Sequence, residues 1–233
     1  MKITGVDAFA LRAPSATSEA YWGSRAWAQG SPPPAWEEYP PRWRMRAAYS
    51  DTINTVIVRI TTDAGLTGYG EAKAPVAPVA TREIVRDLLA PVVLGADPLD
   101  IDVLWERMYS TMRLRAHGSG FLLEALSGVD LALWDLAGKA LGVQACKLLG
   151  GAYRTGIKVY ASGLPGLKDR RDAQARQRLQ DQARAVVARG FCAIKLAIGF
   201  GVQTDIATVA TVREAVGESI WLLCDAAGNY DVD

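Results

Sequence analysis

The segment FCAIKLAIG, residues 191–199, decides which fold class the chain belongs to. It is a short apolar run that closes on glycine, as expected of a strand with little exposure to water. Residues 157–163 (IKVYASG) and 219–225 (SIWLLCD) have the same strand-like character. Two segments with helical character, about 170–189 and 203–216, separate the three. Strands that alternate with helices in this way predict βαβ units and a parallel sheet.

Lys195 interrupts the apolar pattern of this strand. Strand geometry places Lys195 and the two flanking alanines, Ala193 and Ala197, on one face. The large apolar residues share the other face and are expected to pack on helices: Ile194, Leu196 and Ile198. In a barrel, the inner face near the C-terminal strand ends is where active sites are built, and a lysine there serves as a base or polarises an anionic substrate. A strand-end lysine that extends its ammonium into solvent is an alternative of equal weight.

Asp225 closes the 219–225 strand, so it stands near the end of a strand as Lys195 does in the preceding βα unit. Carboxylates at such positions hold Mg²⁺ or orient a catalytic group. Taken alone, an aspartate shortly before Gly228-Asn229 is more readily explained as an N-cap or turn residue. Because the two polar residues occupy equivalent places in consecutive units, each strengthens the catalytic interpretation of the other.

The first third of the chain predicts an antiparallel sheet. Residues 2–12 and 52–62 are apolar or β-branched, and the turn residues 63–65 lead into a further strand at 66–71. Between the first two strands lies segment 14–48, which is rich in tryptophan, proline and arginine. A loop of this length inside a compact domain is typically functional, and its aromatic content argues against plain disorder. We expect it to be a mobile lid.

From about residue 80 the spacing of apolar residues changes from two to 3.6, which predicts helices over 80–94, 99–113 and 120–140. The last of these is the clearest and ends at Gly142. Its apolar residues fall on one helical face: Leu122, Ala125, Val129, Leu133 and Leu136.

Composition excludes several classes of function. With 26 basic and 25 acidic side chains the formal net charge is +1, so neither nucleic acid nor an anionic membrane is an expected partner. Mean hydropathy is only +0.06, and no apolar run reaches the roughly 18–20 residues that span a bilayer. The first 15 residues do not have the pattern of a secretory signal. Few, widely spaced cysteines fit reduced, buried thiols and a cytoplasmic location: Cys146, Cys192 and Cys224.

Four stretches of the chain resemble the mandelate racemase/muconate lactonizing enzyme family of the enolase superfamily. They are GVDLALWDLAGKALGVQACKLLGG (128–151), GLTGYGEA (65–72), GFCAIKLAIG (190–199) and CDAAGNY (224–230). The resemblance implies an α+β N-terminal capping domain at residues 1–125, followed by a (β/α) TIM-type barrel domain at 126–233. It also implies Mg²⁺ held by three carboxylates on successive strands, and abstraction of a proton α to a carboxylate.

The resemblance assigns roles to individual residues. Lys195 matches the first lysine of the family's Lys-x-Lys strand motif, and Ala197 stands in place of the second, which is the base in many members. Asp225 matches the first metal ligand, and Ala227 stands where the family often has asparagine. Segment 14–48 corresponds to the loop that closes over the substrate. Its candidate specificity residues are Trp22, Arg25, Trp27, Trp43 and Arg44, whereas Asp130 and Asp135 of the 128–151 stretch are implied to be structural.

The chain also departs from the family pattern. Residues 156–233 cover about a third of the 200–250 residues that a barrel of this type takes, which predicts an incomplete barrel of about three βα units. The single histidine, His117, precedes the 128–151 stretch and is expected to be a loop or helix-start residue. Without the second lysine, proton abstraction from that face has no obvious base.

Three hypotheses follow. The first is an acid-sugar dehydratase or racemase-like enzyme, a lyase or isomerase that acts on a small carboxylic acid with Mg²⁺ when complete, whereas the 233-residue chain itself is inactive. The second is a non-catalytic remnant or interaction module that retains the capping domain. The third is that these residues are part of a longer chain. Open strand edges and apolar surface in a partial barrel would favour self-association, so we expect a homo-oligomer.

Overall fold

The structure is a computed structural model of the chain, and it describes residues 1–14, 52–226 and 230. The described residues divide into two compact units, unit 1 with residues 1–14 and 52–155 and unit 2 with residues 156–226 and 230. The boundary predicted between residues 125 and 126 falls inside a helix of unit 1. The assignment of residues 1–125 and 126–233 to two functional domains stays a prediction.

Unit 1 contains a three-stranded antiparallel sheet, as predicted. Its strands are β1 (Ile3–Pro14), β2 (Thr52–Thr62) and β3 (Thr67–Ala72), in the order β1-β2-β3. Along β2, Val56, Val58 and Ile60 are completely buried, whereas the residues between them are partly exposed. The period of two that predicted this strand therefore separates a core face from a face turned to water.

The helices of unit 1 follow β3 and lie close to their predicted positions. Helix α1 consists of three consecutive parts, Pro78–Glu83, Ile84–Leu89 and Ala90–Val93, of which the middle part is a π-helix. Pro91 has no N–H with which to continue a regular helical ladder, and just before it the Ala90 N–H donates to the Val85 carbonyl five residues back. The remaining helices are α2 (Ile101–Ser110), a 3₁₀ turn (Arg113–Arg115), α3 (Phe121–Leu141) and α4 (Ala145–Leu148).

Helix α3 lies with its backbone directly against β3. A Cβ atom on Gly70 would lie 2.1 Å from the Gly128 carbonyl oxygen, and one on Gly68 would lie 2.2 Å from the Ala132 carbonyl oxygen. Such an approach is possible only without side chains on the strand. The apolar face predicted for α3 is buried in the core of unit 1 through Leu122, Ala125, Val129, Leu133 and Leu136.

Asp135 of α3 connects the helix to the sheet. Its carboxylate Oδ2 accepts a hydrogen bond of 2.8 Å from the backbone N–H of Tyr69 and one of 2.7 Å from the Lys139 ammonium. Lys139 also donates to the carbonyl oxygen of Thr67 at 2.8 Å. These contacts agree with the structural role that the resemblance implied for Asp135. For Asp130, partial burial and the nearby Asp102 raise the pKa, against a hydrogen bond from Trp134 that lowers it.

Unit 2 contains the parallel sheet predicted from the alternation of strands and helices. Its strands are β4 (Ala161–Leu164), β5 (Ala193–Ala197) and β6 (Trp221–Asp225) in the order β4-β5-β6, with α5 (Ala173–Ala188) and α6 (Val202–Val216) between them. On β5, Ile194 and Leu196 are completely buried in a core shared with both helices. Within the described residues, no helix is long and apolar enough to cross a membrane. The expectation of buried cysteines is wrong for this unit, because Cys192 and Cys224 are exposed.

The first strand of unit 2 is shorter than predicted. The pattern IKVYASG predicts a strand from residue 157, but β4 begins at Ala161, which pairs with Ile194 of β5. In this alignment Ile157 and Val159 lie beyond the N-terminal end of β5, and both are largely exposed. A strand requires a hydrogen-bonding neighbour, and the length of β5 limits how far β4 extends.

Candidate functional site

Lys195 and Asp225 meet at the C-terminal edge of the parallel sheet. The Lys195 Nζ atom lies 2.6 Å from the Asp225 Oδ2 atom. In the register of β5 and β6, Lys195 pairs with Leu223 and Ala197 pairs with Asp225. The lysine side chain therefore extends two pairs further along the strands to contact the carboxylate. The structure thus places the two predicted residues on one side of the sheet, while their chemical roles stay predictions.

The orientation of Lys195 follows from the two faces of β5. Ile194 and Leu196 are buried on the helix side, which turns Lys195 to the opposite side. The side chains of Lys195 and Asp225 are 22% and 34% exposed, so both are partly shielded and yet accessible to a small molecule. The backbone N–H of Ile198 donates to the Asp225 carbonyl oxygen at 3.0 Å, and this bond continues the pairing of the two strands to the edge where the ion pair lies.

Ser162 is a further polar residue at this edge. It pairs with Lys195 in the register of β4 and β5, so a hydroxyl group belongs to the same row of the sheet as the ammonium. The sequence signal for Ser162 is weak, because a serine before a glycine is also a common strand-end or turn residue. Only the register of the two strands puts it beside Lys195.

Ala197 occupies the place of the family's second lysine and is completely buried. It has no group that could accept a proton or bind a metal. The described part of β5 and β6 therefore offers one cation, Lys195, and one carboxylate, Asp225, and these two are in contact.

The described residues do not by themselves fit a Mg²⁺ site. Mg²⁺ takes a near-octahedral set of oxygen ligands and is usually held by one or two carboxylates together with groups of the substrate. No group of three or more histidine, cysteine, aspartate or glutamate side chains lies close enough together to hold a metal ion within the described residues. Asp225, the predicted ligand, is in contact with the Lys195 ammonium.

The other predicted functional residues divide between the described and undescribed parts of the chain. The specificity residues Trp22, Arg25, Trp27, Trp43 and Arg44 lie outside the described residues, as do Ala227 and the segment predicted to be a lid from residue 15 onward. His117 is an exposed loop residue of unit 1, as expected, and its backbone N–H donates to the Met112 carbonyl oxygen at 3.3 Å.

Asp205 is a buried carboxylate that was not predicted from the sequence. It lies in the first turn of α6, it is 6% exposed, and it accepts hydrogen bonds from the backbone N–H groups of Gly199 and Phe200. The hydroxyl of Tyr230 also donates to it. Acidic residues are common in the first turn of a helix, where they interact favourably with the helix dipole. The sequence alone therefore gives little reason to single out Asp205.

Unit 2 is thus a parallel sheet with a lysine–aspartate pair at its C-terminal edge, and unit 1 is an antiparallel sheet packed against helices, which are architectures that many unrelated proteins share. Comparison with known families makes this specific. Residues 34–150 match the mandelate racemase/muconate lactonizing enzyme N-terminal domain, and residues 178–233 match the enolase C-terminal domain-like family. The chain belongs to the mandelate racemase/muconate lactonizing enzyme family of the enolase superfamily.

Similar proteins include enzymes of sugar-acid metabolism. The chain is 37% identical to D-galactarolactone cycloisomerase of Agrobacterium fabrum over 76% of this chain and 45% of that protein. It is 34% identical to arabinonate dehydratase of Saccharolobus solfataricus over 76% of this chain and 46% of that protein. A solved structure of an enolase superfamily member from Agrobacterium tumefaciens matches with a TM-score of 0.75 and 30% identity, over 96% of this chain and 54% of that one. The chain thus spans about half the length of these relatives.

Proposed function

We propose that this chain contributes to an enzyme that abstracts the proton α to the carboxylate of an acid sugar, in a dehydration, cycloisomerisation or racemisation. The observation that carries the proposal is the contact between Lys195 and Asp225, 2.6 Å apart at the C-terminal edge of a parallel sheet. Active sites of barrel enzymes are built at this edge. The similar proteins that are named for a sugar lactone and a sugar acid support the substrate class.

The proposal treats unit 2 as the first part of a TIM-type barrel and unit 1 as the body of the capping domain. Support comes from β6, which has one neighbouring strand, β5, among the described residues. Trp221 of β6 pairs with Ala193, on the same face of the sheet as Lys195, and is 72% exposed, as expected if further strands continue the sheet beyond it.

Lys195 is proposed to bind the substrate carboxylate, and Asp225 is proposed as one of several metal ligands. The Lys195 side chain is 22% exposed and its ammonium has three N–H donors, so it can donate to a substrate carboxylate while it remains in contact with Asp225. In the family, Mg²⁺ supplies the positive charge that stabilises the anion formed on proton loss. Because the described residues provide one candidate ligand and Ala197 provides no base, we propose that residues 1–233 alone are inactive and bind Mg²⁺ no more tightly than about millimolar.

Titration of the purified 233-residue protein tests the proposal. We expect Mg²⁺ binding by calorimetry in the millimolar range, no 2-keto acid formation from a panel of sugar acids, and weak sugar-acid binding by NMR. Lys195→Met should weaken that binding at least five-fold, whereas Lys158→Met, at an exposed lysine that precedes the sheet, should not. Micromolar Mg²⁺ binding or turnover by this chain would contradict the expected inactivity. Equal sugar-acid binding by the two variants would contradict the role of Lys195.

Self-association and a cytoplasmic location stay predictions from the sequence. The exposed apolar residue Trp221 on the edge strand β6 is consistent with contact between copies. Sedimentation velocity across a range of protein concentrations measures it directly, and a monomer at all concentrations would contradict the prediction.

A further inference from the structure

We propose that Asp205 is a positioning residue: its buried carboxylate ties the turn after β5 to the segment after β6 and thereby holds the Asp225 end of β6 beside Lys195. The contacts themselves are properties of the fold. The effect of Asp205 on catalysis rests on the proposed function, because the proposed function assigns the roles of Asp225 and Lys195.

The contacts of Asp205 come from two separate parts of the chain. Its Oδ2 atom accepts the Gly199 N–H at 2.8 Å, and its Oδ1 atom accepts the Phe200 N–H at 3.2 Å. The Tyr230 hydroxyl donates to Oδ2 as well. One carboxylate therefore joins the turn between β5 and α6 to a residue that follows β6.

Asp225 lies between these two attachments. On one side, the Ile198 N–H donates to the Asp225 carbonyl oxygen at 3.0 Å, and Ile198 directly precedes Gly199. On the other side, Tyr230 comes five residues after Asp225 in the chain. Through the Ile198 contact, movement of the turn after β5 would shift the end of β6, and with it the carboxylate that contacts Lys195.

The charge and burial of Asp205 suit this role. A carboxylate that is only 6% exposed is costly to bury unless donors surround it, and here three donors do so. Burial, and then the hydrogen bond to Asp205, raise the pKa of Tyr230 to about 12, so the hydroxyl remains a donor at neutral pH. Burial and the charge of Asp205 also raise the pKa of the Cys224 thiol, which directly precedes Asp225 in β6.

Helix capping alone does not account for these contacts. A carboxylate at the N-cap accepts from N–H groups in the first turn of its own helix, and a first-turn side chain in a capping box reaches back as far as the N-cap N–H, which here belongs to Gly201. The donors to Asp205 lie outside α6, since Gly199 and Phe200 precede Val202, the first residue of the helix, and Tyr230 follows β6. The carboxylate thus accepts from the turn after β5 and from Tyr230, and from no N–H group within the first turn of α6 among the described contacts.

Three variants test the inference. Tyr230→Phe removes a single hydroxyl and keeps the ring, and Asp205→Asn removes the charge. Thr208→Val is the matched control, because the buried Thr208 hydroxyl, on the same helix, accepts the Leu167 N–H at 3.0 Å and so serves a different loop. The decisive readout is amide hydrogen exchange of Ile198 by NMR, normalised to the slowest amides of the sheet, which report global unfolding. The carboxyl ¹³C shift of Asp225 gives a spectroscopic signature of its ion pair.

We expect Ile198 exchange to rise at least five-fold in Tyr230→Phe and Asp205→Asn, with a change in the Asp225 shift, and to stay unchanged in Thr208→Val. Equal normalised Ile198 exchange in Tyr230→Phe and Thr208→Val would overturn the inference, even if Asp205→Asn fails to fold. Sugar-acid binding by the unmodified chain is measured separately. If the Ile198 effect is present but no sugar acid binds, the positioning role stands and the proposed function fails.

Discussion

A double-mutant cycle on Lys195 and Asp225 tests the central contact of the site. Lys195→Met keeps the length of the side chain without its charge, and Asp225→Asn keeps the shape of the carboxylate without its charge. At 2.6 Å, Coulomb attraction between unit charges amounts to about 1.6 kcal/mol in bulk water and about 6 kcal/mol at an effective dielectric constant of 20. Exposures of 22% and 34% place the pair nearer the aqueous value, so we expect a coupling free energy of about 1–2 kcal/mol.

The cycle is measured by urea denaturation of the four proteins, followed by circular dichroism. At 1 M NaCl the screening length falls to about 3 Å, so part of the coupling should be lost. The control cycle uses Arg171→Met and Asp169→Asn, whose charged atoms lie 3.9 Å apart with 86% and 63% exposure, and its coupling should stay below about 0.5 kcal/mol. A Lys195–Asp225 coupling no larger than that of the control pair would refute the ion pair and the site built on it.

Two further predictions concern unit 1. Gly70→Ala should lower the free energy of unfolding by about 3 kcal/mol, because the new Cβ would meet the Gly128 carbonyl 2.1 Å away, whereas Gly156→Ala, with open space around its Cβ, should change it by less than about 0.5 kcal/mol. Similar losses in urea denaturation of both variants would contradict the close packing of α3 on β3. Burial raises the pKa of Glu124, and the charge of Lys73 lowers it by less. The folded protein therefore binds a proton at Glu124 more tightly than the unfolded chain does. The stability gained from that proton is lost as pH rises through the folded-state pKa. The free energy of unfolding of Glu124→Gln, relative to that of the unmodified chain, should therefore be higher at pH 7 than at pH 4. The same difference in unfolding free energy at both pH values would show this to be wrong.

Local patterns in the sequence were enough to predict most elements and the face on which Lys195 lies. A period of two on β5 separates Lys195 from Ile194 and Leu196, and this separation depends only on the geometry of a single strand. The helical period of α3 and the turn after β2 are equally local. These features needed no knowledge of what the strands and helices pack against.

Other features of the site depend on segments that are far apart in the chain. The distance between Lys195 and Asp225 is set by the register that pairs Ala197 with Asp225, and the start of β4 is set by the first residue of β5. Asp205 could not be predicted as a connection between two loops, since its donors approach it only in the folded chain. Likewise, the requirement for glycine at Gly68 and Gly70 becomes apparent only when α3 packs against β3.

The division between the two kinds of feature has one physical reason. The type and approximate limits of the helices and strands follow from local patterns, because backbone period, turn residues and side-chain alternation act over a few neighbouring residues. Strand register, close backbone approach and the partners of buried polar groups depend on the folded chain, because each requires distant segments to pack together and satisfy one another's hydrogen bonds. Lys195 and Asp225 illustrate both: their faces follow from strand geometry, and their contact follows from the pairing of β5 with β6.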